Sequence, residues 1–181
     1  MGSQLQTRLH VVEALDTLMQ CDPIKRVKVA RVCKLVGISR TTFYEYFDDI
    51  YSVVTWYWDY IMRDALYAVG ISCDHYTGHV RSFEMLLANR TFFYEAFKCK
   101  EYNGPLEYGA RNVKRIMVET AERRLGRSFT EREVLMLEFR NYGASNMTRQ
   151  WIDRGMKETP EEIASVIEAC TPDFFVEALR V

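Results

Sequence analysis

The chain of 181 residues is predicted to be all-α, with three short helices at the N-terminus and a larger set of longer helices behind them. Three observations carry this reading. Apolar residues recur at spacings of three and four along nearly the whole sequence. Strand-like alternation is scarce. Capping signatures stand in front of several of the apolar runs.

The elements follow in order. Leu5, Leu9, Val12, Leu15 and Leu18 form one stripe, so residues 5–20 read as a first helix that Asp22-Pro23 ends. Residues 28–35 make a short second helix with Val29, Val32 and Cys33 inward, and Gly37 breaks it. Ser39 is an N-cap for a third short helix. Asp48-Asp49 places carboxylates at the positive end of a long fourth helix, about residues 49–70. Apolar and aromatic residues cover most of its circumference, and Asp59 and Arg63 sit at i,i+4. Residues 70–78, with Gly70 and Gly78, read as a connection, and 80–98 as helix with a break near Asn89. Asn103-Gly104-Pro105 is a further break. The stripe Leu106, Ala110, Val113 and Met117 then runs to Arg123, Arg124 and Gly126, a well-formed C-terminus. Thr130 and Glu133 form a capping box, with Phe129 placed to staple onto Val134. Thr159-Pro160-Glu161-Glu162 repeats the device, and Thr171-Pro172-Asp173 repeats it more weakly. About eight or nine helices result.

Composition narrows the class. Apolar residues at 48% and charged residues at 27% fit a globular chain better than a disordered one. A net charge of −1 selects no partner, but its distribution does. Between Pro23 and Thr42 lie Lys25, Arg26, Lys28, Arg31, Lys34 and Arg40, with no acidic residue among them. The five cysteines are odd in number and never spaced C-x-x-C, which suits reduced thiols and a cytoplasmic location. No secretory leader is evident, and no apolar stretch approaches the ~18 residues of a membrane span. Nucleophile triads, phosphate loops and dinucleotide fingerprints are absent, so no catalytic residue, cofactor or metal is expected. The run Cys73-Asp74-His75-Tyr76-Thr77-Gly78-His79 could ligate a metal through His75 and His79, but a loop explains it as well.

The second helix, the turn Leu35-Val36-Gly37-Ile38 and the third helix have the anatomy of a helix-turn-helix. In that motif the second of the two helices enters the DNA major groove. Arg40, Thr41, Thr42, Tyr44 and Glu45 are then its outward residues, with Ser39 before them and Tyr46 after. Arg40 reads guanine and a threonine methyl meets thymine, while Tyr44 and Thr42 suit phosphate. Lys25, Arg26 and Lys28 stand at the start of the second helix, where phosphate is also favoured. A solvated basic face with an ordinary interhelical glycine accounts for the same residues without DNA. For Glu45, base reading, phosphate repulsion and pairing with an arginine all stay open.

The run VKVARVCKLVGISRTTFYEYFDDIYSVV, residues 27–54, resembles the DNA-binding segment of the TetR family of transcriptional regulators. Val29, Val32, Gly37, Ile38, Ser39, Thr42, Phe43, Tyr44 and Phe47 fall on the family's matching positions. Lys28 stands where the family often has threonine, Cys33 and Val36 replace small alanines, and Ile50 replaces a basic residue that touches phosphate. The resemblance implies a helix-turn-helix domain over residues 1–48 and a helical effector-binding and dimerisation domain over 49–181. It further implies a homodimer on an inverted-repeat operator of double-stranded DNA, acting as a ligand-responsive repressor. The alternative is a TetR-shaped adaptor that binds a protein, motivated by Ile50 beside Asp48 and Asp49.

Within the larger domain, Met136, Gly143, Met147 and Trp151 share a helix face, and Ile163, Val166 and Ile167 form another stripe. Both stripes fit a dimer interface, and both fit packing inside one chain. Trp56, Tyr60, Phe83, Leu87, Phe93, Phe97 and Met117 could line a cavity for an apolar or aromatic effector. Aromatic residues at helical spacing are also what a plain core uses.

Overall fold

The computed structural model describes residues 2–98 and 104–181, so Cys99 and the Asn103 side of the expected break lie outside the described residues. Ten α-helices occur among the described residues: α1 (Gly2–Met19), α2 (Val29–Val36), α3 (Arg40–Tyr44), α4 (Ile50–Met62), α5 (His75–Ala88), α6 (Arg90–Phe97), α7 (Pro105–Leu125), α8 (Glu131–Asp153), α9 (Pro160–Ala169) and α10 (Asp173–Ala178). Short 3₁₀ turns at Ile24–Arg26 and Leu66–Ala68 join them, and the described residues hold no strand. The all-α expectation holds. Both capping boxes form, Thr130 with Glu133 and Thr159 with Glu162.

Packing divides the chain into two compact units. One comprises the described residues of Met1–Asp59 and Arg90–Pro105, the other Tyr60–Asn89 and Leu106–Val181. The boundary expected at residue 48 therefore falls inside the first unit. There α1 packs on α2 and α6, and α2 on α3. Val11, Leu15, Val32, Phe43, Val53, Val54 and Phe93 are among its most buried apolar side chains. Phe47 bridges Phe43 and Trp56, with ring centroids 5.5 and 5.8 Å away, and the Arg8 guanidinium lies over both Tyr46 and Trp56. In the second unit α5 packs along α9 and on the Leu66–Ala68 turn. Arg124, in the last turn of α7, donates to the carbonyls of Ala178, Gly70 and Arg180, tying down the end of α10.

Four expectations are corrected. The helix expected over 49–70 ends at Met62, because Ala65, Leu66, Ala68 and Val69 are all buried, a pattern for a tucked turn and not for one helix face. The connection expected over 70–78 is already helix from His75, started by the Asp74 carboxylate, which accepts the Thr77 N–H at 2.8 Å. Gly78 sits inside α5 because of close approach: a Cβ there would lie 2.2 Å from Val69 Cγ2 and 3.2 Å from the Ala65 carbonyl oxygen. Phe129 packs against Phe174 and Phe175, whereas Val134 stays exposed. Thr171 does not cap α10, since its hydroxyl donates to the Ile167 carbonyl oxygen instead.

Gly78→Ala should lower stability by about 1–3 kcal/mol through overpacking, although alanine is the better helix former by ~1 kcal/mol. Urea titration of Gly78→Ala, and of that change combined with Val69→Ala, checks this, with partial recovery expected in the double variant.

Candidate functional site

The helix-turn-helix is assembled from local rules. Gly37 adopts φ 78°, and both its N–H and that of Ile38 return to the Cys33 carbonyl oxygen at 2.9 and 3.1 Å. This closes α2 in the left-handed conformation that glycine tolerates. Ser39 is extended, and its Oγ accepts the Thr42 N–H at 3.0 Å, as the capping pattern requires. The Thr42 hydroxyl lies 3.0 Å from the same Ser39 Oγ, so it is engaged at the cap. Cys33 is buried beneath the turn with Sγ 3.8 Å from the Ser39 carbonyl oxygen, and burial pushes its thiol above the usual range. Phe43 anchors α3 in the core, packed on Phe47.

On that anchor Ser39, Arg40, Thr41, Tyr44 and Glu45 are exposed, and Thr42 is half-buried. Tyr46 lies beyond the end of α3, half-buried under Arg8, so it does not share the outward face. Lys25 and Arg26 occupy the 3₁₀ turn before α2 and Lys28 is its N-cap, all exposed. Arg31 is paired with Asp22, which neutralises part of the basic stretch. Asp49 and Ser52 cap α4 reciprocally, Ser52 N–H to Asp49 Oδ1 at 2.7 Å and Asp49 N–H to Ser52 Oγ at 3.1 Å, which accounts for that acidic residue structurally.

The second unit contains a polar cluster that the sequence reading treated as a loop. His75 and His79 stack at 4.3 Å between centroids, one turn apart on α5. Arg140, 8% exposed on α8, donates from Nη2 to His75 Nε2 at 2.8 Å and to His79 Nε2 at 2.9 Å. Its Nε–H donates to Thr171 Oγ1 at 3.0 Å. A guanidinium only donates, so both imidazoles accept at Nε2 and carry their proton on Nδ1. From there His79 donates to the His75 carbonyl oxygen at 2.8 Å and His75 donates to the Glu168 carboxylate. Burial, then the Arg140 charge, depresses His75 to about 3. Burial, His75 and Arg140 depress His79 as well. Burial lowers Arg140 to about 10 and raises the carboxyl of Glu168. No metal-holding group of three or more ligands occurs among the described residues.

The family description "Transcriptional regulator C-terminal region", of the TetR type, matches residues 75–172, more than half of the chain and the whole span of this cluster. The chain belongs to the TetR family of transcriptional regulators. Among solved structures it is similar to the dihydroxyacetone kinase operon activator DhaS, at 16% identity over 96% of each chain with a TM-score of 0.65, a likeness of fold. The TetR family repressor AlkX from Dietzia sp. strain DQ12-45-1b, implicated in biodegradation of n-alkanes, shares 15% identity over 96% of this chain and 98% of its own, with a TM-score of 0.49. No curated protein matches the sequence. No helix among the described residues is long and apolar enough to cross a membrane.

The residues a TetR protein would use for effector and partner are placed unevenly. Trp56, Phe93 and Phe97 belong to the first unit: Trp56 lies under Arg8, and Phe93 and Phe97 pack on Trp58 at 6.1 and 5.9 Å. Tyr60, Phe83, Leu87 and Met117 belong to the second: Phe83 meets Trp151 edge-on at 5.1 Å, Met117 is buried, Tyr60 is half-buried and Leu87 exposed. Of the stripe residues, Trp151, Ile163 and Ile167 are buried within their own unit, Trp151 donating its indole N–H to the Glu158 carbonyl oxygen at 3.0 Å. Met136, Gly143 and Val166 face solvent and Met147 is half-buried.

The sequence reading missed Arg140 and the exposed Leu135, Phe139 and Tyr142 of α8. Arg140 has a signal in retrospect: it stands three residues after inward Leu137, where a helix of this register puts an apolar side chain.

Depressed imidazoles make the fold acid-sensitive. The unfolded chain takes their protons near the ordinary 6.5, whereas the folded chain refuses them until far lower pH. Their contribution is complete above about pH 6.5 and declines below it, by roughly 1.4 kcal/mol per pH unit for each imidazole. Glu168 acts in the opposite sense, since a carboxyl raised from 4.5 favours folding when protonated, so it offsets part of the loss in the carboxylate range. Urea midpoints measured from pH 7.5 to 5.0 should fall steeply below 6.5. The same series on Arg140→Met should show a flatter slope and a lower starting stability, by about 3 kcal/mol.

Proposed function

We propose that this TetR family member is a ligand-responsive repressor that acts in the cytoplasm as a homodimer on an inverted-repeat DNA operator, and not as an enzyme. The observation that carries the DNA reading is the outward set Arg40, Thr41 and Tyr44 on a helix fixed by Gly37, Ser39 and Phe43. Arg40, Thr41 and the Thr42 methyl read base edges, with Glu45 at their margin. Tyr44, Lys25, Arg26 and Lys28 hold phosphates, and the last three face solvent with no ion pair among the described residues. The homodimer is supported by Met136, Gly143 and Val166, which stay outside the core, as do the exposed Leu135, Phe139 and Tyr142. The effector is an apolar or aromatic small molecule, a reading supported in the second unit by the aromatic side chains Tyr60 and Phe83. It acts by binding one state of the dimer better than the other.

The adaptor reading rested on Asp48, Asp49 and Ile50. Asp49 is accounted for as a helix cap and Ile50 is buried, so neither points to a protein surface.

Selection from a random DNA pool, followed by titration at two salt concentrations, tests the proposal. Sequence-selective, salt-sensitive binding is expected. Arg40→Ala should relax selectivity at one base position, at a cost of about 1–3 kcal/mol, whereas Lys28→Ala should weaken all sequences alike and reduce the salt slope by about 1. Capture of one stable protein partner without any DNA selection would favour the adaptor.

A further inference from the structure

Arg140 is a buried cation whose contacts are all neutral. Its Nε and Nη2 hydrogens go to one hydroxyl and two neutral imidazoles. The carboxylate of the cluster, Glu168, sits on the opposite nitrogen of the His75 ring and is itself 30% exposed. Asp74 spends its carboxylate on the Thr77 N–H at the start of α5. A charge taken out of water is ordinarily paired with an opposite one, because neutral acceptors recover only part of its hydration. One end of the guanidinium is still available for such a pairing. Nη1 has no acceptor among the described residues, and it is not among the polar atoms sealed from solvent without one. The residue as a whole is nonetheless 8% exposed, so these two N–H donors act from a largely desolvated site, where a charge-assisted hydrogen bond is strong.

The same side of α8 has room for the rest of a ligand. Ala144, Met147, Thr148 and Trp151 follow Arg140 at i+4, i+7, i+8 and i+11, all on one helix face. Arg140 and Trp151 are buried, but Ala144, Met147 and Thr148 between them are only half-buried. On α5, His75, His79 and Phe83 recur at every fourth residue, and all three are buried. Long side chains bridge the two helices at both ends of this stretch. Arg140 reaches both histidines, and Trp151 meets Phe83 edge-on at 5.1 Å. Between the bridges α8 presents a methyl group, a thioether and a threonine whose hydroxyl is already spent on the Ala144 carbonyl oxygen at 2.9 Å. A cation at one end, an aromatic pair at the other and apolar groups between suit a molecule with an apolar body and one anionic end. Glu168 and Asp74 on the His75 side favour a singly charged group over a doubly charged phosphate. We propose that Arg140 anchors a small monocarboxylate, its carboxylate on Nη1 and its apolar body along Ala144, Met147 and Thr148 toward Phe83 and Trp151. This rests on the ligand-responsive reading above and narrows the effector to one chemical class.

Benzoate and hexanoate are the probes, with benzamide as the neutral counterpart and inorganic phosphate as the competing anion. Calorimetric titration of the full-length protein should show benzoate binding about 10–100-fold tighter than benzamide, because a charged hydrogen bond replaces a neutral one. Phosphate should not displace it. Arg140→Lys should abolish the preference for benzoate over benzamide, with far-UV circular dichroism checking that the chain is folded. Because Arg140 also ties three helices together, a second variant leaves it in place. Ala144→Phe fills the half-buried stretch and should weaken both carboxylates at least roughly tenfold. The loss of stability below pH 6.5, which reports the intact cluster, should persist in that variant. Equal binding of benzoate and benzamide, displacement by phosphate, benzoate binding that survives both substitutions, or no binding of either carboxylate at millimolar concentration would overturn the anchor and leave the ligand-responsive reading standing. Benzoate binding that needs Arg140 yet leaves operator affinity unchanged would uphold the carboxylate site and overturn its role as the effector site.

Discussion

The second unit depends on keeping one buried cation satisfied. Taking a guanidinium out of water costs several kcal/mol, which is recovered only if its donors all find good acceptors. At Nε and Nη2 Arg140 meets this with neutral imidazoles and a hydroxyl in place of a direct carboxylate. Each acceptor is itself tied down. His79 is held by the carbonyl of His75, His75 by Glu168, and Thr171 by the carbonyl of Ile167. One side chain thus fixes α5, α8 and α9 in a single register. Such a cluster is weak as a source of net stability and strong as a specifier, because a rotated α8 would strand a charge in the core.

The first unit solves a different problem. A helix of five residues has no stability of its own, since nucleation alone fixes several residues for one hydrogen bond. α3 exists because three neighbours hold it: Gly37 turns the chain, Ser39 satisfies the Thr42 N–H, and Phe43 is clamped by Phe47. Gly37 and Phe43 act in the turn and the core and Ser39 with Thr42 at the cap, which leaves Arg40, Thr41, Tyr44 and Glu45 free of such duty. The side chains proposed to read bases are positioned in this way by a core they do not touch. The Arg8 stack on Tyr46 and Trp56 extends the same support to the middle of α4.

Local chemistry explains which parts of this were legible in the sequence. The turn at Gly37, the cap at Ser39, the anchor at Phe43 and both capping boxes are contacts within a few residues, and each was readable from composition at fixed offsets. What the sequence concealed is long-range. Gly78 reads as a breaker until Val69 is seen pressed against it, and Thr171 reads as a cap until Arg140 is seen beside it. His75 and His79 read as a loop or a metal pair because their partner lies more than sixty residues away. The aromatic residues of α4 and α6 were legible as a cluster, but pattern alone does not separate a core from a cavity. Of the stripe read on α8, Met136 and Gly143 are exposed, whereas Trp151 belongs to the interior because Phe83 and the Glu158 carbonyl claim it.

These two findings meet on one helix. Phe139 and Arg140 are consecutive, and a helix turns by about 100° per residue. Once Arg140 is committed inward to two imidazoles, Phe139 has no freedom to turn in, and Tyr142, three residues on, stays on the same outward side. Rotating α8 to hide these rings would pull the guanidinium from all three of its acceptors. The exposed aromatic face is therefore a consequence of the buried cation, since hiding two rings would not repay the loss of its three acceptors.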